Sequence, residues 1–123
     1  VLRVSGGSFG MVLALITGAV SLLTAFLDNV LAVATFIPVM GELSNAGVHT
    51  TPVWWGLLFG GTLFGNMTII GSTANIVAIG VLERKKLGGI SFVTWLWPGL
   101  VVSSVTLAIA MVGIWLQIPL MPR

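Results

Sequence analysis

Residues 21–40 read SLLTAFLDNVLAVATFIPVM, an apolar run that places a carboxylate and an amide, Asp28 and Asn29, side by side near its middle. No other feature restricts the fold as strongly. As a helix in a water-soluble core, the stretch lacks a polar face. As one membrane span, it carries an Asp at a depth that costs about 2.5–3.5 kcal/mol on insertion scales. The apolar run extends from Met11 to Met40. A crossing takes about 20 residues, so this length is too much for one span and too little for two. Two short helices meeting at a polar tip satisfy the pattern. Such a re-entrant hairpin is tolerated at membrane depth only where protein or a water-filled cavity surrounds it.

The bilayer follows from charge. Only 7% of the 123 residues are charged and 57% are hydrophobic, against about 25% charged in soluble domains. The expected fold class is therefore all-α integral membrane, cell-membrane and multi-pass, with lipid as its first partner. Five Lys/Arg against three acids and no cysteine give no reason to expect a nucleic-acid partner, a disulfide or a thiolate metal site. The chain opens on Val1 without a signal segment, and the expectation is a piece of a longer protein.

Two further apolar runs complete the pass. Residues 53–82 contain GNMTIIGSTAN (65–75), a polar, Gly-bearing interruption between two short apolar stretches, which is the pattern of a discontinuous helix. Residues 92–118 fit one simple crossing. Between the runs lie GELSNAGVHTTP (41–52), read as a polar loop, and ERKKLGG (83–89). Arg84, Lys85 and Lys86 cluster in that second loop, whereas Arg3 and Arg123 stand alone. The positive-inside rule then places 83–89 in the cytoplasm and the C-terminus outside. Trp54, Trp55, Trp95, Trp97 and Trp115 fall where interfacial aromatic belts belong.

Intramembrane ionisable groups handle ions or protons by default, so Asp28 is expected to exchange H⁺ or Na⁺ rather than merely pack. Asn29 either caps the second hairpin arm or joins the site. In the broken helix, freed carbonyls attract cations and the N-terminal dipole of the second half attracts anions. Asn66, Thr68, Ser72, Thr73 and Asn75 add side-chain oxygens, and Gly65 and Gly71 are expected to allow unusual backbone angles. A Na⁺ site is expected at Asp28, Asn29, Ser72 and Asn75, in a polar pocket between tip and break. Gly56–Gly60 and Gly61–Gly65 match GxxxG and are read as helix packing. His49 is expected to be solvated, Pro38 to end or bend its arm, and Pro98 to occupy a first helical turn. There is no Walker A loop, nucleophile–His pair or His/Cys/carboxylate set. Neither an enzyme nor a cofactor is expected beyond Na⁺ or H⁺ as coupling ion.

Taken in order, the DN pair, the short polar loop and the GN-T-IGS-AN segment resemble the C-terminal repeat of the ion transporter superfamily. The similarity is greatest to its sodium/proton antiporter and arsenite permease-related branch, which includes the melanosomal P protein, and covers residues 11–118. It implies two inverted repeats, each with a hairpin (here 11–40) and a broken helix (here 53–82), whose tips share a midplane site that moves by an elevator-like step. It also implies that Asp28 and Asn29 form the hairpin tip and Gly71 to Asn75 the broken-helix loop. Dicarboxylate transporters of the superfamily carry Ser-Asn-Thr at this tip. Here Asp28 stands for the Ser and Val30 for the Thr, and the added charge opposes a dianion unless Asp28 is protonated or a cation neutralises it.

Residues 1–123 are thus expected to be one repeat, the C-terminal half of a secondary transporter whose N-terminal repeat lies elsewhere and whose full form is a homodimer. The rival expectation is a small non-transporting subunit that packs against a larger membrane partner.

Overall fold

The computed structural model describes residues 6–122. They form five α-helices: α1 (Gly6–Thr24), α2 (Asn29–Asn45), α3 (Thr50–Leu63), α4 (Thr73–Arg84) and α5 (Phe92–Gln117). Short 3₁₀ turns follow α3 (Phe64–Asn66) and α5 (Ile118–Leu120). Arg3 and Arg123, part of the charge reading, lie outside the described residues.

Glycines set the packing of the first three helices. A Cβ at Gly56 would lie 2.8 Å from Leu13 Cδ1, and one at Gly60 would lie 2.8 Å from Thr17 O and Ser21 Oγ. Rising numbers in α3 meet rising numbers in α1, so the two run parallel. A Cβ at Gly61 would meet Val33, and one at Gly65 would meet Asn29. The numbers in α2 therefore fall as those in α3 rise, and α2 runs back antiparallel. Bare backbone along one face of α3 lets both neighbours approach closely, the packing role read for the GxxxG pairs. The core above this seam is apolar: Leu13, Val20, Ala32, Met40, Val53, Leu57 and Ile114.

α5 returns along α3 in the opposite sense. Gly99 lies against the backbone of Asn66 and Met67 at one end, and Trp115 lies over Gly10 at the other. This is the one helix long and apolar enough to cross a bilayer among the described residues, taken with its 3₁₀ end to Leu120. Only 17% of its most apolar window is buried, so it is not the core helix of a globular domain. Val93, Trp97, Ile109 and Leu116 stand outward from it.

Several boundaries differ from the sequence reading. α2 passes through Pro38 to Asn45, because Phe36 on one side of the proline and Met40 and Leu43 on the other pack into the same core. The polar loop therefore shrinks to residues 46–49. α2 ends where Gly47 takes φ 75°, with Gly47 N donating to Ser44 O and Val48 N to Leu43 O, a Schellman closure. Pro98 sits in the second turn of α5 and not the first, because Ser91 starts the helix by accepting from Thr94 N at 3.2 Å. His49 is not simply solvated. Its ring stacks on Phe9 at 6.3 Å, and Nε2 lies 2.9 Å from Pro122 O.

The hairpin tip meets the helix break

α1 ends at Thr24, and a turn over 25–28 leads into α2. Both roles weighed for the polar pair are present, with the capping one exchanged. Asp28 is the cap: its Oδ1 accepts from Val30 N at 2.9 Å, meeting one of the donors that a helix start leaves free. Asn29, the first residue of α2, turns inward. Its surroundings are carbonyl oxygens, which assigns its nitrogen to that side. Nδ2 then lies 3.1 Å from both Gly61 O and Gly71 O and beside Thr24 Oγ1, its two N–H groups shared among the three acceptors. Thr24, fully buried, donates its own hydroxyl to Gly61 O at 2.8 Å.

The break accounts for its backbone groups one by one. α3 tightens into the 3₁₀ turn, then loses regular pairing over 67–72 until Ser72 O accepts from Asn75 N and Ile76 N at the start of α4. Thr68, buried, donates to Ala25 O in the hairpin turn. The same hydroxyl accepts from Gly71 N at 3.0 Å. Asn75, also buried, folds back from α4 and donates Nδ2 to Thr68 O at 3.0 Å and Gly65 O at 3.4 Å. Three side chains, Thr24 and Asn29 from the hairpin and Thr68 from the broken helix, thus stitch the two segments together, while Asn75 ties the broken helix to itself across the break. Gly71 lies in the seam, where a Cβ would come within 2.5 Å of Gly65 O and 2.8 Å of Thr24 O. Neither Gly65 nor Gly71 has positive φ. Their need is for space, not for the unusual angles expected of them.

Where a polar pocket is expected between tip and break, these hydrogen bonds make direct contact instead. A cavity of about 290 Å³ lies on the other side of the break, lined by Asn66, Asn75, Trp95, Pro98, Gly99 and Val102. Trp95 crosses to the break there, donating Nε1–H to Asn66 O at 3.0 Å.

Of the residues singled out from sequence, Asn29, Thr68, Gly71 and Asn75 meet in one network. Asp28 is exposed beside it, with Oδ1 engaged by the cap. Ser72 is half-buried at the N-cap of α4 without a side-chain cap bond, and Thr73 is exposed in the first turn. Asn66 is exposed and joins through its carbonyl. Thr24, Ala25, Gly61, Trp95 and Gly99 are additions. Thr24 had a signal, since Thr17, Ser21 and Thr24 follow at helical spacing on one face. Trp95 had none: an interfacial tryptophan pattern does not announce a partner 29 residues away.

A family model described as citrate transporter matches residues 1–122. An uncharacterized transporter of Mycobacterium bovis is 33% identical over 118 residues, which is 94% of this chain and 27% of the relative. A 46 kDa membrane protein of Mycobacterium leprae is 33% identical over 118 residues, 92% of this chain and 27% of that protein. The human P protein is 38% identical over 71 residues, 55% of this chain and 8% of its own length. The chain spans about a quarter of the mycobacterial relatives. No solved structure matches it.

Proposed function

The chain belongs to the citrate transporter family, and we propose that it forms the C-terminal half of a secondary active transporter, its ion-handling site built where tip and break meet. One observation carries the reading above the others: Asn29 reaches out of the hairpin to the carbonyls of Gly61 and Gly71 on the broken helix. Two interrupted segments, each costly in a membrane, interrupt at the same depth and satisfy one another.

Geometry favours the re-entrant arrangement. The α1–α2 turn lies at the end of α3, while α4 and α5 continue beyond it. α3 and α4, with 14 and 12 residues, measure roughly 21 and 18 Å, so neither spans about 30 Å of hydrocarbon and the two in series do. We place loop 83–89 in the cytoplasm by its cations, and residues 46–49 with Pro122 outside. An N-terminal repeat would complete the site, and the full protein would be a homodimer.

The coupling ion is Na⁺ or H⁺. Asn29 and Asn75 direct their nitrogens at backbone carbonyls, which leaves their amide oxygens, the Ser72 hydroxyl and the Asp28 carboxylate as the oxygen set for Na⁺. A carboxylate at the tip repels an anionic cargo such as a tricarboxylate, so such a cargo requires either a proton on Asp28 or a bound cation between them. Cation-coupled anion transport and Na⁺/H⁺ antiport by an elevator-like step both fit this chemistry.

The test is flux. The full-length protein in proteoliposomes should move protons or a tricarboxylate in response to a Na⁺ gradient, and Asp28→Asn should remove that dependence. Absence of Na⁺-, H⁺- and tricarboxylate-linked flux from well-incorporated protein would overturn the reading.

A further inference from the structure

α5 looks like plain scaffold: apolar, continuous and largely exposed. Its second turn does something more specific. Breaking the helix after α3 leaves the carbonyls of Asn66 and Met67 without their helical donors. For Met67 O that donor would be Gly71 N, which instead bonds Thr68 Oγ1 at 3.0 Å. Both carbonyls turn toward α5. Trp95 Nε1–H, a donor with no acceptor function, meets Asn66 O at 3.0 Å. Four residues on, and so on the same helical face, Gly99 lies against both oxygens. A Cβ there would come within 2.5 Å of Met67 O and 2.9 Å of Asn66 O. Only glycine, with a hydrogen in that direction, lets α5 come this close to the two carbonyls.

We infer that α5 positions the helix break, with Trp95 and Gly99 acting as a two-point clamp on the successive carbonyls of Asn66 and Met67. The clamp fixes the exit angle of the chain from the 3₁₀ turn. It thereby fixes where Thr68, Gly71 and Asn75 stand relative to the hairpin tip. Its consequence for ion affinity rests on the transport reading above; its effect on the backbone does not. Trp95 and Gly99 are positioning residues and touch no transported species.

The test uses the full-length protein in detergent and in proteoliposomes, comparing Trp95→Phe with wild type and with Trp97→Phe. Trp97, two residues on and so on nearly the opposite face of α5, points outward, 72% exposed. Phe keeps the aromatic wall of the cavity and removes the donor. Hydrogen exchange of the amides over 67–72 should quicken by about tenfold in Trp95→Phe, the weight of one hydrogen bond, and stay at the wild-type rate in Trp97→Phe. The Na⁺ concentration for half-maximal flux should rise several-fold in Trp95→Phe, with maximal flux and incorporation little changed. Gly99→Ala should show both effects more strongly, and if it fails to incorporate, Trp95→Phe still decides. Wild-type exchange rates in Trp95→Phe would overturn the clamp. Quickened exchange in a protein that shows no ion-linked flux would support the clamp and remove the transport reading instead.

Discussion

Replacing Asn29 with Asp keeps the size of the side chain and inverts its chemistry at the junction of tip and break. In the wild type, the amide nitrogen shares its two N–H groups among Gly61 O, Gly71 O and Thr24 Oγ1. Aspartate offers no donor, and its charge would face two carbonyl oxygens. Gly61 O keeps the Thr24 hydroxyl at 2.8 Å, so its loss is one ordinary hydrogen bond, about 1 kcal/mol. Gly71 is buried and Asn29 is the donor to its carbonyl, so that oxygen is left unsatisfied at about 1–3 kcal/mol. The sum is roughly 2–4 kcal/mol before any charge repulsion, or on the order of 30- to several-hundred-fold in the equilibrium that holds tip to break. Asn29→Ala should lose the same bonds without the repulsion and rank as the milder change. The assay is ion-driven flux in proteoliposomes beside hydrogen exchange of the amides over 67–72, with incorporation as control. Both variants should exchange faster, aspartate most, and flux should fall by more than tenfold. An Asn29→Asp protein with wild-type exchange and flux would refute the orientation of the amide, and with it the stitched junction.

Asp28→Asn should uncouple or abolish transport while leaving membrane insertion and thermal stability near wild type. Asn caps a helix about as well as Asp, so the bond to Val30 N survives and only the titratable charge is lost. Unchanged pH-dependent flux would mean that another group carries the proton. Two threonines on α1 should respond with opposite sign to the same substitution. Thr24→Val removes the donor to Gly61 O and should destabilise by about 1–3 kcal/mol, read as a lower melting temperature in detergent. Thr17 Oγ1 is buried without a partner, so Thr17→Val should be neutral or stabilise by about 1 kcal/mol. Gly60→Ala should cost about 1–3 kcal/mol, because its Cβ would meet Thr17 O at 2.8 Å and Val20 Cγ1 at 2.9 Å. Gly18→Ala, with nothing within 4 Å, should gain a little from helix propensity.

The interruptions at 25–28 and 67–72 were legible in the primary sequence because a helix break in an apolar run is a local matter. It needs polar side chains or glycine where backbone groups lose their partners, and Asp28–Asn29 and GNMTIIGSTAN supply them. The bilayer environment was legible for a similar reason, since composition alone decides which solvent a surface tolerates. Helix ends were read less well: Pro38 costs one local bond, and the core packing of Phe36 before it and Met40 and Leu43 after it outweighs that cost. The division of labour at the tip needed the fold. Asp28 and Asn29 are equally good caps on local grounds, and only the carbonyls of Gly61 and Gly71, brought in by α3, select the residue that can donate and send it inward. The glycines show the same limit. Sequence marks Gly65 and Gly71 as permissive, but whether they serve angle or proximity depends on what packs against them. Trp95 and Gly99 lie at the far end of this scale. Their partners are two carbonyl oxygens exposed by a break about 30 residues earlier, and no local pattern in α5 encodes a group that exists only after the chain has folded back.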